Sequence, residues 1–135
     1  MPMRNLQIFC SLLLLFVTAC HSGPQSPEEA AKVVLEEALE ALQTGNFDCY
    51  FEYADFGVTL DSLQMESLKN VLRQHQEWKR TECAEVLAVE VIDVHLLNDS
   101  VCTAHYQYVF ADSTKEVVSQ KMVRRGEDWK IRIRN

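Results

Sequence analysis

The chain is poor in glycine and proline, with four and three residues among 135. The four glycines are scattered, which excludes a glycine-rich phosphate-binding loop and a low-complexity linker. Basic side chains are also scarce. Thirteen Lys and Arg stand against twenty Asp and Glu, a net charge of −7, so no nucleic-acid partner is expected. The longest apolar run, Ile8 to Val17, is interrupted by Cys10 and Ser11. It falls well short of the ~20 residues that cross a bilayer. The five cysteines form no C-x-x-C pair, and His21, His75, His95 and His105 have no close ligand spacing. No metal and no cofactor is therefore expected. Neither a Ser/His/Asp arrangement nor an internal repeat is visible.

What the sequence does have begins with its N-terminal end. Residues 1–7 are short and polar with one charge, Arg4, and the apolar run follows directly. This is the layout of a secretory leader. The run ends in Val17-Thr18-Ala19-Cys20, which resembles the bacterial lipobox: an aliphatic residue, two small residues, and the cysteine that takes lipid. The resemblance implies that residues 1–19 are a lipoprotein signal peptide and that Cys20 begins the mature chain, carrying diacylglycerol and a palmitate-type acyl group. Several acyl chains anchor stably where one alone is marginal. His21, rather than an aspartate, follows the cysteine; by the same resemblance this implies the outer membrane of a bacterial envelope. Residues 20–27 then form the lipidated N-terminus and linker, and 28–135 a single domain. The seven residues from His21 to Pro27 reach at most about 25 Å, which holds the domain near the lipid surface.

Ser26-Pro27-Glu28-Glu29 is a helix start: a cap, a proline in the first turn, and acids at the positive end of the dipole. Ala31, Val34, Leu35, Ala38, Leu39 and Leu42 recur at helical spacing and predict a buried stripe ending at Gly45. Asn46 or Asp48 opens a short second helix around Cys49 to Tyr53, with Phe47, Tyr50, Phe51 and Tyr53 expected to be buried. A third helix is expected from Ser62 to Trp78, with Leu63, Met65, Leu68, Val71, Leu72, His75 and Trp78 on its inner face. From Glu85 the period changes to two. Strands are expected at 85–97, 101–110, 116–125 and 129–134, separated by Asn98-Asp99-Ser100, Ala111-Asp112-Ser113-Thr114 and Gly126-Glu127-Asp128. The fold class is α+β: three N-terminal helices packed on a curved four-stranded antiparallel meander.

Three stretches carry a family resemblance: Ser26-Pro27-Glu28-Glu29-Ala30-Ala31, Ala41-Leu42-Gln43-Thr44-Gly45-Asn46-Phe47, and Gly126-Glu127-Asp128-Trp129-Lys130-Ile131. In their order and spacing the chain resembles the nuclear-transport-factor-2-like (cystatin-like, cone-shaped) superfamily, and within it small bacterial lipoproteins of unknown function. The resemblance implies a bent sheet wrapped around the first helix, with a pocket between sheet and helices. Such folds host enzymes and binding modules alike.

The pocket is expected to be lined by Tyr50, Phe51, Tyr106, Tyr108, Phe110 and Trp129, and to hold a small apolar ligand or only packed side chains. An isomerase or dehydratase-like alternative needs an acid/base group there, for which Glu90, Asp93 and His95 are the candidates. Hairpin register decides between them. A two-residue turn sets Leu87, Val89, Val91, Asp93 and His95 beside the Cys102–Phe110 face; a three-residue turn sets Ala88, Glu90, Ile92, Val94 and Leu96 there. Both faces are fairly apolar, so a homodimer through the sheet is a further expectation. Cys49, Cys83 and Cys102 are expected as packed thiols; a Cys49–Cys83 bridge stays open, while a straight strand separates Cys83 from Cys102. Ten acids from Ser26 to Glu66 oppose seven bases from Lys115 onward. The bases Lys130, Arg132 and Arg134 form an envelope interaction face if they are exposed together, and not if the acidic helices engage them.

Overall fold

A computed structural model describes residues 25–133; the leader, Cys20 and Arg134 lie outside the described residues. The elements are α1 (Pro27–Gln43), α2 (Phe47–Glu52), β1 (Ala54–Asp55), α3 (Ser62–Glu82), β2 (Val86–Asn98), β3 (Val101–Phe110), β4 (Lys115–Arg125) and β5 (Asp128–Arg132). The fold is α+β, helices first and sheet after. The four-stranded meander is present as β2 to β5, and a fifth strand joins it: β1 runs parallel to β5, giving the order β1-β5-β4-β3-β2. Two residues are too few to show alternation, so no sequence pattern announces β1.

Local chemistry fixes the helix ends. The Ser26 hydroxyl accepts from the Glu29 N–H at 3.2 Å. At the other end of α1, Gly45 takes φ +77°, and Asn46 N–H reaches the Ala41 carbonyl at 2.9 Å. That left-handed position suits glycine and satisfies carbonyls that the helix leaves open. Ala31, Leu35 and Ala38 are fully buried on the face turned to the sheet, in one cluster with Cys102, Ala104, Met122 and Ile131. Phe47, Tyr50 and Phe51 are buried as expected, whereas Tyr53 is only half-buried, packed against the edge of the core. Its hydroxyl donates to the Glu37 carboxylate at 2.9 Å.

The third helix departs most from expectation. It continues past Trp78 to Glu82, opens with a reciprocal capping box between Asp61 and Gln64, and has no buried residue. Met65, Leu68 and Leu72 pack against the core. Leu63, Val71 and Trp78, expected inside, are 78%, 60% and 55% exposed.

Strand β2 resolves the register in neither of the two expected ways. The turn holds two residues, because Asn98 pairs with Val101, but bulges follow between Leu96 and Asn98, Val91 and Asp93, and Val86 and Ala88. Leu87, Ile92 and Leu97 are the inserted residues and all are exposed. The face shared with Cys102–Phe110 is therefore Val86, Val89, Val91, Val94 and Leu96, drawn partly from each alternative. Each bulge bends and twists the strand, which curls the sheet around α1. It also blunts a long free edge against pairing with other chains.

Candidate functional site

The six aromatics expected to line a pocket pack together as core. Tyr50, Phe51, Tyr106, Tyr108, Phe110 and Trp129 are all buried in one cluster. Alternation along β3 places Tyr106, Tyr108 and Phe110 on its inner face, with successive ring centroids 5.8 and 6.2 Å apart. Helix α2 brings Tyr50 and Phe51 to them. Burial pushes the Tyr50 phenol up to about 12. It also raises Tyr106 and Tyr108. All three are therefore neutral hydroxyls at ordinary pH.

Tyr108 also reaches a cavity of about 530 Å³ between the end of α1, α3 and the start of β2. Leu42, Leu72 and Val86 supply apolar wall, and His75, Gln76 and Lys79 enter from α3. Two of these polar groups already have protein partners. Gln76 donates its side-chain N–H to the Leu42 carbonyl. The Lys79 ammonium sits 3.8 Å from the Tyr108 ring centroid and 3.3 Å from the Glu116 carboxylate. Cation–π attraction and an ion pair thus hold one end of α3 on the sheet. Sequence reasoning missed Gln76 and Lys79. The signal was there: they follow Leu72 by four and seven residues, the spacing of one helix face, but apolar residues one position away at Val71 and Trp78 suggested a different face.

Glu90, Asp93 and His95 stand elsewhere. They pair with Gln107, His105 and Thr103, the outward residues of β3, so all three lie on the outer face of the sheet. There Asp93 Oδ1 is 2.6 Å from His105 Nδ1 and 3.5 Å from His95 Nε2, and Gln107 donates to Glu90 at 3.0 Å. With a two-residue turn, the single residue inserted at Leu97 carries Asp93 and His95 outward, and the insertion at Ile92 lies beyond them. The His105 hydrogen bond holds the Asp93 carboxyl below its ordinary value, with the charges of both histidines adding to it. A lowered carboxyl stabilises the fold above the unfolded value near ~4, and that stabilisation is lost as pH falls through the folded value. Asp93→Asn is accordingly expected to lower the melting temperature at pH 7 and to lower it by less at pH 3. An equal loss at both pH values would break this account.

Two of the C-terminal bases reach other elements. Lys130 donates to the Glu52 carbonyl at the end of α2 at 2.6 Å, and Arg125 pairs with Asp55 at 2.9 Å. Lys130 and Arg132 are half-buried, which does not match an open basic face. Cys49, Cys83 and Cys102 are free thiols, and burial pushes Cys102 up to about 11. Among the described residues no three His, Cys, Asp or Glu side chains are arranged to hold a metal ion. No described helix is long and apolar enough to cross a membrane.

No family model matches the chain, and no curated protein does. Solved structures do. A provisionally named NTF2-like transpeptidase from Campylobacter jejuni superposes with a TM-score of 0.57 at 12% identity, covering 81% of this chain and 99% of that one. An NTF2-like protein of unknown function from Shewanella oneidensis gives 0.49 at 11% identity, covering 76% and 93%. With α1 cradled by a bent sheet and the helices preceding it, this chain has the NTF2-like fold.

Proposed function

We propose that this is a lipid-anchored envelope protein whose domain binds a small apolar ligand and does not catalyse a reaction. The observation that carries the reading is the cavity of about 530 Å³ between α1, α3 and β2. Its size suits a small organic molecule. Leu42, Leu72 and Val86 offer apolar contact, and Tyr108 adds an aromatic wall with a neutral hydroxyl. Lys79 and Gln76 are held by protein partners, while His75, Arg80 and Glu85 also line the cavity wall. The name of the Campylobacter protein points to acyl transfer, which needs a nucleophile activated by a base. No serine or cysteine lines this cavity, and Glu90, Asp93 and His95 are on the opposite side of the sheet. The lipid on Cys20 and the short linker then serve to keep the cavity close to a membrane.

Native mass spectrometry tests this on the full-length protein extracted from its own envelope. A bound mass of one small molecule per chain is expected, and Leu72→Trp, which fills the cavity, is expected to remove it. A wild-type protein without any adduct would overturn the reading, as would an adduct that survives Leu72→Trp in a folded variant.

A further inference from the structure

Helix α3 has a second side, facing away from the cluster packed by Met65, Leu68 and Leu72. Leu63, Ser67, Val71, Gln74 and Trp78 follow one another at steps of four, four, three and four, which sets them in one row. None of the five carries a charge, and all are exposed. Three are apolar, and Trp78 is the largest; its ring stacks on His75, with centroids 6.0 Å apart, and is otherwise 55% exposed. At the other end of the same row lies a hole. Phe56, Val58, Leu60, Leu63, Leu68 and Ile133 line an apolar cavity of about 660 Å³. Gln64 and Ser67 complete its rim, so it opens on the side of α3 that carries the row.

We propose that the chain forms a two-fold dimer in which α3 lies antiparallel on its copy and each Trp78 enters the apolar cavity beside Leu63 of the partner. Knob and hole are fifteen residues apart on one helix, about 22 Å at 1.5 Å per residue. A two-fold axis through the midpoint, next to Val71, brings each knob to the other's hole. It also sets Ser67 against Gln74, a hydrogen-bonding pair, and Val71 close to its own copy. An isologous contact of this kind closes at two subunits and cannot extend into a fibre.

A second copy fits this row better than a lipid surface does. The molecule is strongly acidic, at −7, and of the bases on α3 Lys69 and Lys79 are ion-paired within the chain and Arg73 is hydrogen-bonded to Asn70, which leaves little to draw anionic headgroups. A tryptophan buries ~150–250 Å². Trp78, Leu63 and Val71 of both copies, each more than half exposed, make with the rims of the two cavities an interface at or below the lower end of specific ones, ~1,200 Å². Association is therefore concentration-dependent, and confinement to a membrane plane favours it.

The experiment is disulfide trapping on the full chain in its own membrane. Val71→Cys is expected to cross-link into dimers several-fold above the wild-type background of native thiols. Adding Trp78→Ala is expected to return the yield to background, and circular dichroism of the extracted protein confirms that this exposed position leaves the fold intact. Val117→Cys, on the outer sheet face and 61% exposed, is the comparison. Cross-linking at Val117 and not at Val71 would place the interface on the sheet and overturn the proposal. Cross-linking at Val71 that ignores the loss of Trp78 would overturn it too.

Discussion

Leu35→Ala is expected to destabilise the domain by about 3 kcal/mol, within the range for deleting a buried leucine side chain. Leu35 has no exposed surface and is among the largest fully buried side chains. It lies where α1 meets the sheet, in the cluster that holds Ala104, Met122 and Ile131. The neighbours belong to three different strands and cannot all move in to fill the gap. For a domain near 100 residues each kcal/mol shifts the melting temperature by roughly 4–8 °C, so a fall of about 15 °C is expected. Val33, two residues earlier on the same helix and 39% exposed, supplies the control. Val33→Ala is expected to change stability by less than ~1 kcal/mol. Equal losses at the two positions would mean that α1 does not have the inner face described here.

Cys20→Ser is expected to have the largest effect on where the protein resides, on the lipid-anchor reading proposed above. The serine hydroxyl cannot form the thioether to diacylglycerol. Without that lipid the leader is not cut, and the chain keeps its first 19 residues. Incorporation of radiolabelled palmitate is expected to fall to background, and the protein to migrate as the longer precursor. Each buried CH₂ of an acyl chain contributes ~0.8 kcal/mol, so several chains lost together remove a strong anchor. Normal labelling of the Cys20→Ser protein would sink the assignment, whatever its effect on growth.

Much of this architecture was legible because its signals are local. Ser26 and Pro27 mark the start of α1, Gly45 its end, and alternation from Cys102 to Phe110 gives the inner face of β3 directly. The aromatic cluster follows from that alternation and from the packed aromatics of α2. The outer placement of Asp93 and His95 was not legible. It depends on the bulge at Leu97, which, like Ile92 and Leu87, looks like an ordinary member of an aliphatic strand. A single inserted residue moves every later side chain to the other face. The outer row of α3 was misread for a related reason. Leu63, Val71 and Trp78 satisfy helical periodicity as well as Met65, Leu68 and Leu72 do, and hydrophobicity alone does not say which row meets the core. Lys79 was overlooked because a cation on a helix is normally solvated, whereas here Tyr108 and Glu116 enclose it.

The pairing of β1 with β5 bears on how the chain reaches its destination. Tyr53 and Asp55 offer their carbonyls to the N–H groups of Ile131 and Ile133, at 2.7 and 3.0 Å. Trp129 and Ile131 complete the cluster around Leu35 and Phe51. Part of what the early chain packs against thus arrives only with the final strand. A chain emerging N-terminus first cannot close this core until β5 has been delivered, and distant pairings of this kind slow folding. On the lipid-anchor reading proposed above the polypeptide is threaded through a membrane before it folds, and the delay then helps, because nothing stable forms on the near side to block passage.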